Sequence, residues 1–398
     1  MKKFLITLIL LGCGLSYANP IYIHKHEIGL YQTNKKTNFI KDVDILSPKS
    51  ALFINDELYI NALEKGATVI YDTTSWTKTA VLQHTFNNVN FSKKNNYPYE
   101  IHNKSFTGKP VEFANDDKSL WVSFYRFNWD NNSQHGSAIA QYDLNTKALL
   151  QIIPSGSIPK IITMSSDFKQ LASTHWGDNS IGLYEKLYDN YNYYHISIEK
   201  PLNIKAISGN RDKNCGYCLR GTVFTPDNKY LIVSRMGGGG LAFIDIINKK
   251  YIGSIFNVPL TPRHLVLSPD NKTLYLSTVA SGEVSKIDMS KIYNEIQNLE
   301  QKTKPQITLK DWKSLKLNSG VRTIALSNDE KYLFATLNST SELAIIDTQS
   351  MKILEKHKVT SFPVGLAVSK ENKYLAVTSQ GKEGLGGGNH VDIFELQK

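Results

Sequence analysis

Along most of the chain, apolar and polar residues alternate in short runs broken by turn residues, a period-two pattern that predicts half-buried strands. One phrase recurs: an apolar stretch, a turn built on Asp or Asn, then a β-rich stretch opening on Leu. It reads Val223-Phe224-Thr225-Pro226-Asp227-Asn228-Lys229-Tyr230-Leu231-Ile232-Val233-Ser234, and again Leu265-Val266-Leu267-Ser268-Pro269-Asp270-Asn271-Lys272-Thr273-Leu274-Tyr275-Leu276-Ser277. Weaker copies turn at Asp56, Asp116, Asp167, Asp329 and Glu371, which makes seven copies. Each is a hairpin on a type I-like turn, followed by a third strand ending in Asp, as at Asp72, Asp245, Asp288 and Asp347, and by a fourth apolar stretch. The prediction is an all-β, seven-bladed β-propeller of four-stranded antiparallel blades over 49–398, in which radial packing hides the blade faces. Residues 19–48 are expected to hold the strand that closes the ring, from either 22–31 or 39–45. Insertions fall near 128–134, 186–214 and 292–304, the last with Ile292, Ile296 and Leu299 at helical spacing. Tyr188 and its neighbours up to Tyr194 read as an insertion packed on the ring.

The strings LYLST (274–278), YLFAT (332–336) and YLAVT (374–378), each between a turn and a strand ending near Asp, resemble YVTN-type propeller repeats. That group is similar to the seven-bladed propellers of exported surface proteins, of lactonases and of the haem-binding domain of cd-type nitrite reductases. The resemblance spans about 49 to 395 and implies a fold, not one activity.

Composition adds a location and a charge. Lys2 and Lys3 precede an apolar run over 4–11, and Ser16-Tyr17-Ala18 supplies small residues at a cleavage site, so 1–18 reads as a secretory signal. Leu10-Leu11-Gly12-Cys13 offers the alternative of a lipoprotein signal over 1–12, with the protein anchored through Cys13. A periplasmic or secreted protein is expected, with no transmembrane span, as a monomer. The chain carries 46 Lys+Arg against 36 Asp+Glu. For an exported protein this excess points to anionic ligands or membrane surfaces, and no nucleic-acid partner is expected.

Counted back from each turn, one position reads Lys49, Lys109, Lys160, Arg220, Arg263, Arg322 and Val364, six cations out of seven. It falls at the start of the innermost strand, at the channel mouth on the face carrying the loops between second and third strands. Such cations can converge on an anion, or each can bond to a neighbouring blade and lock the ring. At the end of the second strand, on the same mouth, stand Phe124, His175, Arg235, Thr278, Leu337 and Ser379. Arg235 runs through Met236 into four glycines, 237–240, which permit a close backbone approach by a ligand or form a loose hairpin.

Cys215-Gly216-Tyr217-Cys218 precedes Arg220. In an oxidising compartment it reads as a disulfide tying the loop. A redox pair, or a soft-metal site with His175, Met236 or His264, is the other reading. No GxSxG or HExxH occurs, and Leu219 rather than His follows the second cysteine, which leaves covalent haem attachment unsupported. His24 and His26 alternate on one strand, as a pair of metal ligands or as a solvent-facing strand.

Three functions compete. The first is an exported binding protein that holds an anionic small molecule or a partner protein on Lys49, Lys109, Lys160, Arg220, Arg235, Arg263, His264 and Arg322. The second is a lactonase-like hydrolase or lyase with His175 as acid/base and Arg220, Arg235 or Arg263 steadying an oxyanion. The third is a carrier of a metal ion or haem-type cofactor, with His175 or His264 as ligand.

Overall fold

The computed structural model describes residues 20–92, 97–185, 191–198, 209–301, 311–381 and 388–397. The leader, with Cys13, and parts of the second and third insertions lie outside the described residues.

Seven antiparallel sheets form the ring. The innermost strand of each of blades 1 and 3 to 7 is, in order, Pro48–Ile54, Pro159–Met164, Leu219–Phe224, Pro262–Leu267, Val321–Leu326 and Pro363–Val368; in blade 2 it is the second half of Ile101–Asn115. The first half of that long strand pairs instead with Thr85–Phe91. Neighbouring inner strands contact one another around the whole circle, including blade 7 against blade 1. The middle strands of each blade are buried almost end to end, as in Leu241–Asp245 and Tyr374–Ser379. A strand packed on both faces by neighbouring blades needs such a continuous apolar run. The helical spacing near 292 becomes the helix Met289–Glu300, capped by Asp288 accepting from the Ser290 amide and burying Ile292 and Ile296.

Both N-terminal candidates take part in closure. Tyr22–Gly29 pairs antiparallel with His390–Leu396 as the fourth strand of blade 7, and Asn38–Lys41 adds to it in parallel as a fifth. A bulge between His24 and His26 breaks their alternation. His24 Nε2 lies 2.9 Å from the Asp392 carboxylate while the His26 ring packs on Trp76 at 4.7 Å, so the two rings have separate structural partners.

A buried pair seals this seam. Glu27, fully buried, accepts from the Thr33 and Asn34 amides at 2.7 and 3.0 Å and lies 3.6 Å from Nε2 of the equally buried His390. His390 directs Nδ1 at the Gly388 carbonyl, 2.6 Å away, and Nε2 at the Tyr31 carbonyl. Carbonyls only accept, so they face the ring as acceptors while the Glu27 carboxyl stands beside it, and the three groups close the seam together.

Candidate functional site

Each inner strand opens on an irregularity. Pro48 faces Ala62 and Ser50 faces Asn61, which leaves Lys49 out of the ladder. Lys160, Arg220, Arg263 and Arg322 are bulged in the same way between paired neighbours. A bulge re-aims its side chain, and here all five cations turn into the central channel, where they line one cavity of about 400 Å³. Blade 2 differs. Its Pro110 takes the place of Pro48, so the ring position is Val111, and the sequence count runs two residues too far back. Lys109 stands outside the cavity, paired with Glu64 at 2.8 Å.

Hydroxyls, not the cations, lock the blades. Thr174, Ser234, Ser277 and Thr378, one residue before the end of each second strand, donate to the backbone carbonyls of Arg220, Arg263, Arg322 and Lys49 in the next blade, at 2.7, 2.8, 3.3 and 3.3 Å. These bonds pin the bulge through its main chain and leave the charged ends in the channel. The recurring Ser or Thr is visible in the sequence itself, one residue before the end of each of these second strands.

The charged ends have little compensation. Among the described residues none of the five ring cations forms an ion pair. Lys49 donates to the Gln380 side-chain oxygen at 3.2 Å, and Arg263, 7% exposed, reaches only the Met236 sulfur at 3.5 Å. Lys160 lies over Tyr125 and Trp176, Arg220 over Trp176, and Arg322 over Phe362, at 4.1 to 5.5 Å from the ring centres. Burial, then repulsion from Arg220, lowers Arg322 to about 9, while burial takes Arg220 to about 10. Burial and the neighbouring cations hold Arg263, Lys49 and Lys160 well below their ordinary values. The cavity also holds one carboxyl, Glu112, absent from the sequence-based set: burial raises it to about 7, against the pull of Lys49 and Arg220. His264 lines the same cavity, its Nδ1 buried without a partner. Burial, then Arg263 and Arg220, lowers it to about 4, so it is neutral at pH 7.

His175 is placed differently from its sequence expectation. It is fully buried and does not line the cavity. Its Nε2 accepts from the Gly156 amide at 3.1 Å, which puts the proton on Nδ1, facing Ser180 Oγ at 2.7 Å; that hydroxyl donates to Asp178 at 2.6 Å. Burial lowers His175 to about 3. Enclosed and neutral, it braces blade 3 and has no route to a substrate. Asp178 and His195 lie close enough to His175 for the three to suggest a metal site. The protonated Nδ1 denies an ion the lone pair it would need, and Asp178 already accepts from Tyr99 at 2.6 Å and the Ser157 amide at 3.0 Å.

Cys215 and Cys218 form a disulfide, so neither offers a thiolate to a metal. Their loop carries Tyr217 onto Arg235, whose guanidinium sits between Tyr217 and Phe256 at 4.2 and 4.9 Å in the wall of the mouth. Arg235 is 2% exposed and outside the cavity lining. The close approach made by the glycine run is to this loop: a Cβ on Gly237 would lie 2.1 Å from the Gly216 carbonyl and 3.1 Å from Cys218 Sγ. Gly237→Ala is expected to displace the loop and cost about 1–3 kcal/mol, measured by urea denaturation; wild-type stability would mean that the loop yields freely. Of the histidines and sulfur ligands considered for a metal or haem-type cofactor, only His264 reaches the channel.

Residues 138–386 match the family described as lactonase, 7-bladed beta-propeller. The chain belongs to that family. No curated protein matches it in sequence. Among solved structures it is similar to Kuenenia stuttgartiensis hydrazine synthase, with 14% identity and a TM-score of 0.60 over 92% of this chain and 99% of that one. It is also similar to a putative 6-phosphogluconolactonase from Bacteroides uniformis, with 15% identity and a TM-score of 0.53 over 78% and 84%. The β-propeller domain of Myceliophteria thermophila Cps50 (Swd1) gives 13% identity and a TM-score of 0.61 over 88% and 96%. At these identities the three share a fold with this lactonase-family propeller, and the site must be argued from its own residues.

Proposed function

We propose that this lactonase-family propeller binds an anionic small molecule in its central channel. The observation that carries the reading is the set of five inward cations without an ion-pair partner among the described residues. Guanidinium groups grip carboxylate or phosphate bidentately, and lysines add point charge. The disulfide and the basic, apolar leader support action after export, either released after Ala18 or anchored through Cys13.

Trp176, against Lys160 and Arg220, reports on the site. Titration with citrate or inorganic phosphate is expected to change its fluorescence saturably, with affinity falling as salt rises. No saturable response to either would overturn the reading. Glu112 adds a pH signature. It is neutral below about 7 and charged above, so anion affinity is expected to fall as pH rises through 7, and Glu112→Gln to flatten that profile. An unchanged slope in the variant would remove Glu112 from the site.

A second reading, hydrolysis of an anionic lactone or ester, is supported by the family match together with Glu112, a carboxyl near 7 beside Arg220. Glu112 would take a proton from water while the ring arginines hold the developing oxyanion. Here Glu112→Gln abolishes turnover and spares binding.

A further inference from the structure

The cations are not spread evenly. Lys160, Arg220, Arg263 and Arg322 occupy four consecutive blades, 3 to 6, and form a continuous arc on one wall of the cavity. Lys49 stands alone in blade 1, flanked at the equivalent positions by Val364 of blade 7 and Val111 of blade 2. In a ring of seven, blade 1 lies across the channel from blades 4 and 5, so Lys49 confronts Arg220 and Arg263. A single compact anion seated on the arc leaves Lys49 with only the Gln380 side chain and the half-ionised Glu112 to offset its charge. One seated on Lys49 leaves four cations repelling one another in a partly desolvated cavity.

We propose that the channel's ligand is a small organic molecule with two anionic groups held apart on one skeleton, one on the arc from Lys160 to Arg322 and the other on Lys49. This rests on the reading of the channel as an anion site and adds the number and spacing of the charges. With a valine on either side of Lys49 and Glu112 beside Val111, its end of the site has charge for one anionic group and no more. The arc end accepts a group bidentately from an arginine and has cations to spare for a second contact.

The test is isothermal titration of the full mature protein with succinate, glutarate, adipate, butyrate and inorganic phosphate at constant ionic strength. One dicarboxylate is expected to bind at least tenfold more tightly than butyrate and than phosphate, and the best chain length reports the span. Lys49→Gln is expected to lower the dicarboxylate-to-butyrate affinity ratio about tenfold, while Lys109→Gln, outside the cavity, leaves it unchanged. Melting curves establish that both variants fold. A ratio insensitive to Lys49→Gln, or phosphate binding as tightly as every dicarboxylate, would overturn the two-ended ligand while leaving an anion site. Absence of binding by all five compounds and by citrate would overturn both.

Discussion

Arg263→Met is expected to make the protein more stable and, at the same time, a much weaker binder of its anion. Arg263 is only 7% exposed, and among the described residues its one hydrogen bond is to the Met236 sulfur at 3.5 Å. Burial, then repulsion from Arg220 and Arg322, lowers its basicity, which means that the folded state disfavours the charge. Wherever the guanidinium is charged in the folded chain, its burial and the neighbouring cations weigh against folding. For Arg322, lowered to about 9, that cost is relieved only as pH rises through 9. An apolar side chain of similar length removes the cost; even paired buried charges replaced by packed hydrophobes gain up to about 1–4 kcal/mol, and an unpaired one should gain on that order. The same change deletes a charged hydrogen bond to the ligand, worth about 1.5–3 kcal/mol, or roughly 10- to 150-fold in affinity. Denaturation and anion titration on the same preparation check both halves. A variant less stable than wild type would mean that Arg263 has a structural partner and that the site was never built for a ligand.

Glu27→Ala is expected to be the most damaging single change at the ring closure. Glu27 satisfies two backbone amides of the following turn and faces the His390 ring, all out of contact with water. Removing it strands two buried amide donors, at about 1–3 kcal/mol each. Because Tyr22–Gly29 is the outer partner of His390–Leu396, the loss should fall on blade 7 and appear first as faster proteolysis between residues 20 and 45. Glu27→Gln keeps the shape and should cost less. Equal stability of Glu27→Ala and wild type in urea would show that the seam is held by the strand ladder alone.

The repeat was legible because every blade buries the same two faces, so the same residues recur at the same spacing. The ring of cations was legible for the same reason, from Lys49 through Arg322. Lys109 falls outside the ring because in blade 2 only about five residues separate the ring position, Val111, from the turn at Asp116, against about seven from Lys49 to Asp56, and counting from a turn presumes equal spacing. His175 was misread because spacing gives a position within a blade and not what covers it. Tyr99, entering from blade 2, and Arg211, 2% exposed in an insertion, close over it with Asp178. Glu112 escaped notice because an acid next to a bulge has no periodic signature; only the bulge turns it inward.

What the sequence determined by itself was the number of blades, the closure by an N-terminal strand and the presence of cations at the start of the inner strands, all consequences of short-range patterning repeated seven times. What tertiary structure decided was which cations share a space, that Ser and Thr hydroxyls rather than the cations hold the blades, and that His175 is sealed off. Those outcomes depend on contacts between blades, where residues far apart in the chain meet and where burial, not spacing, sets the charge each group can carry.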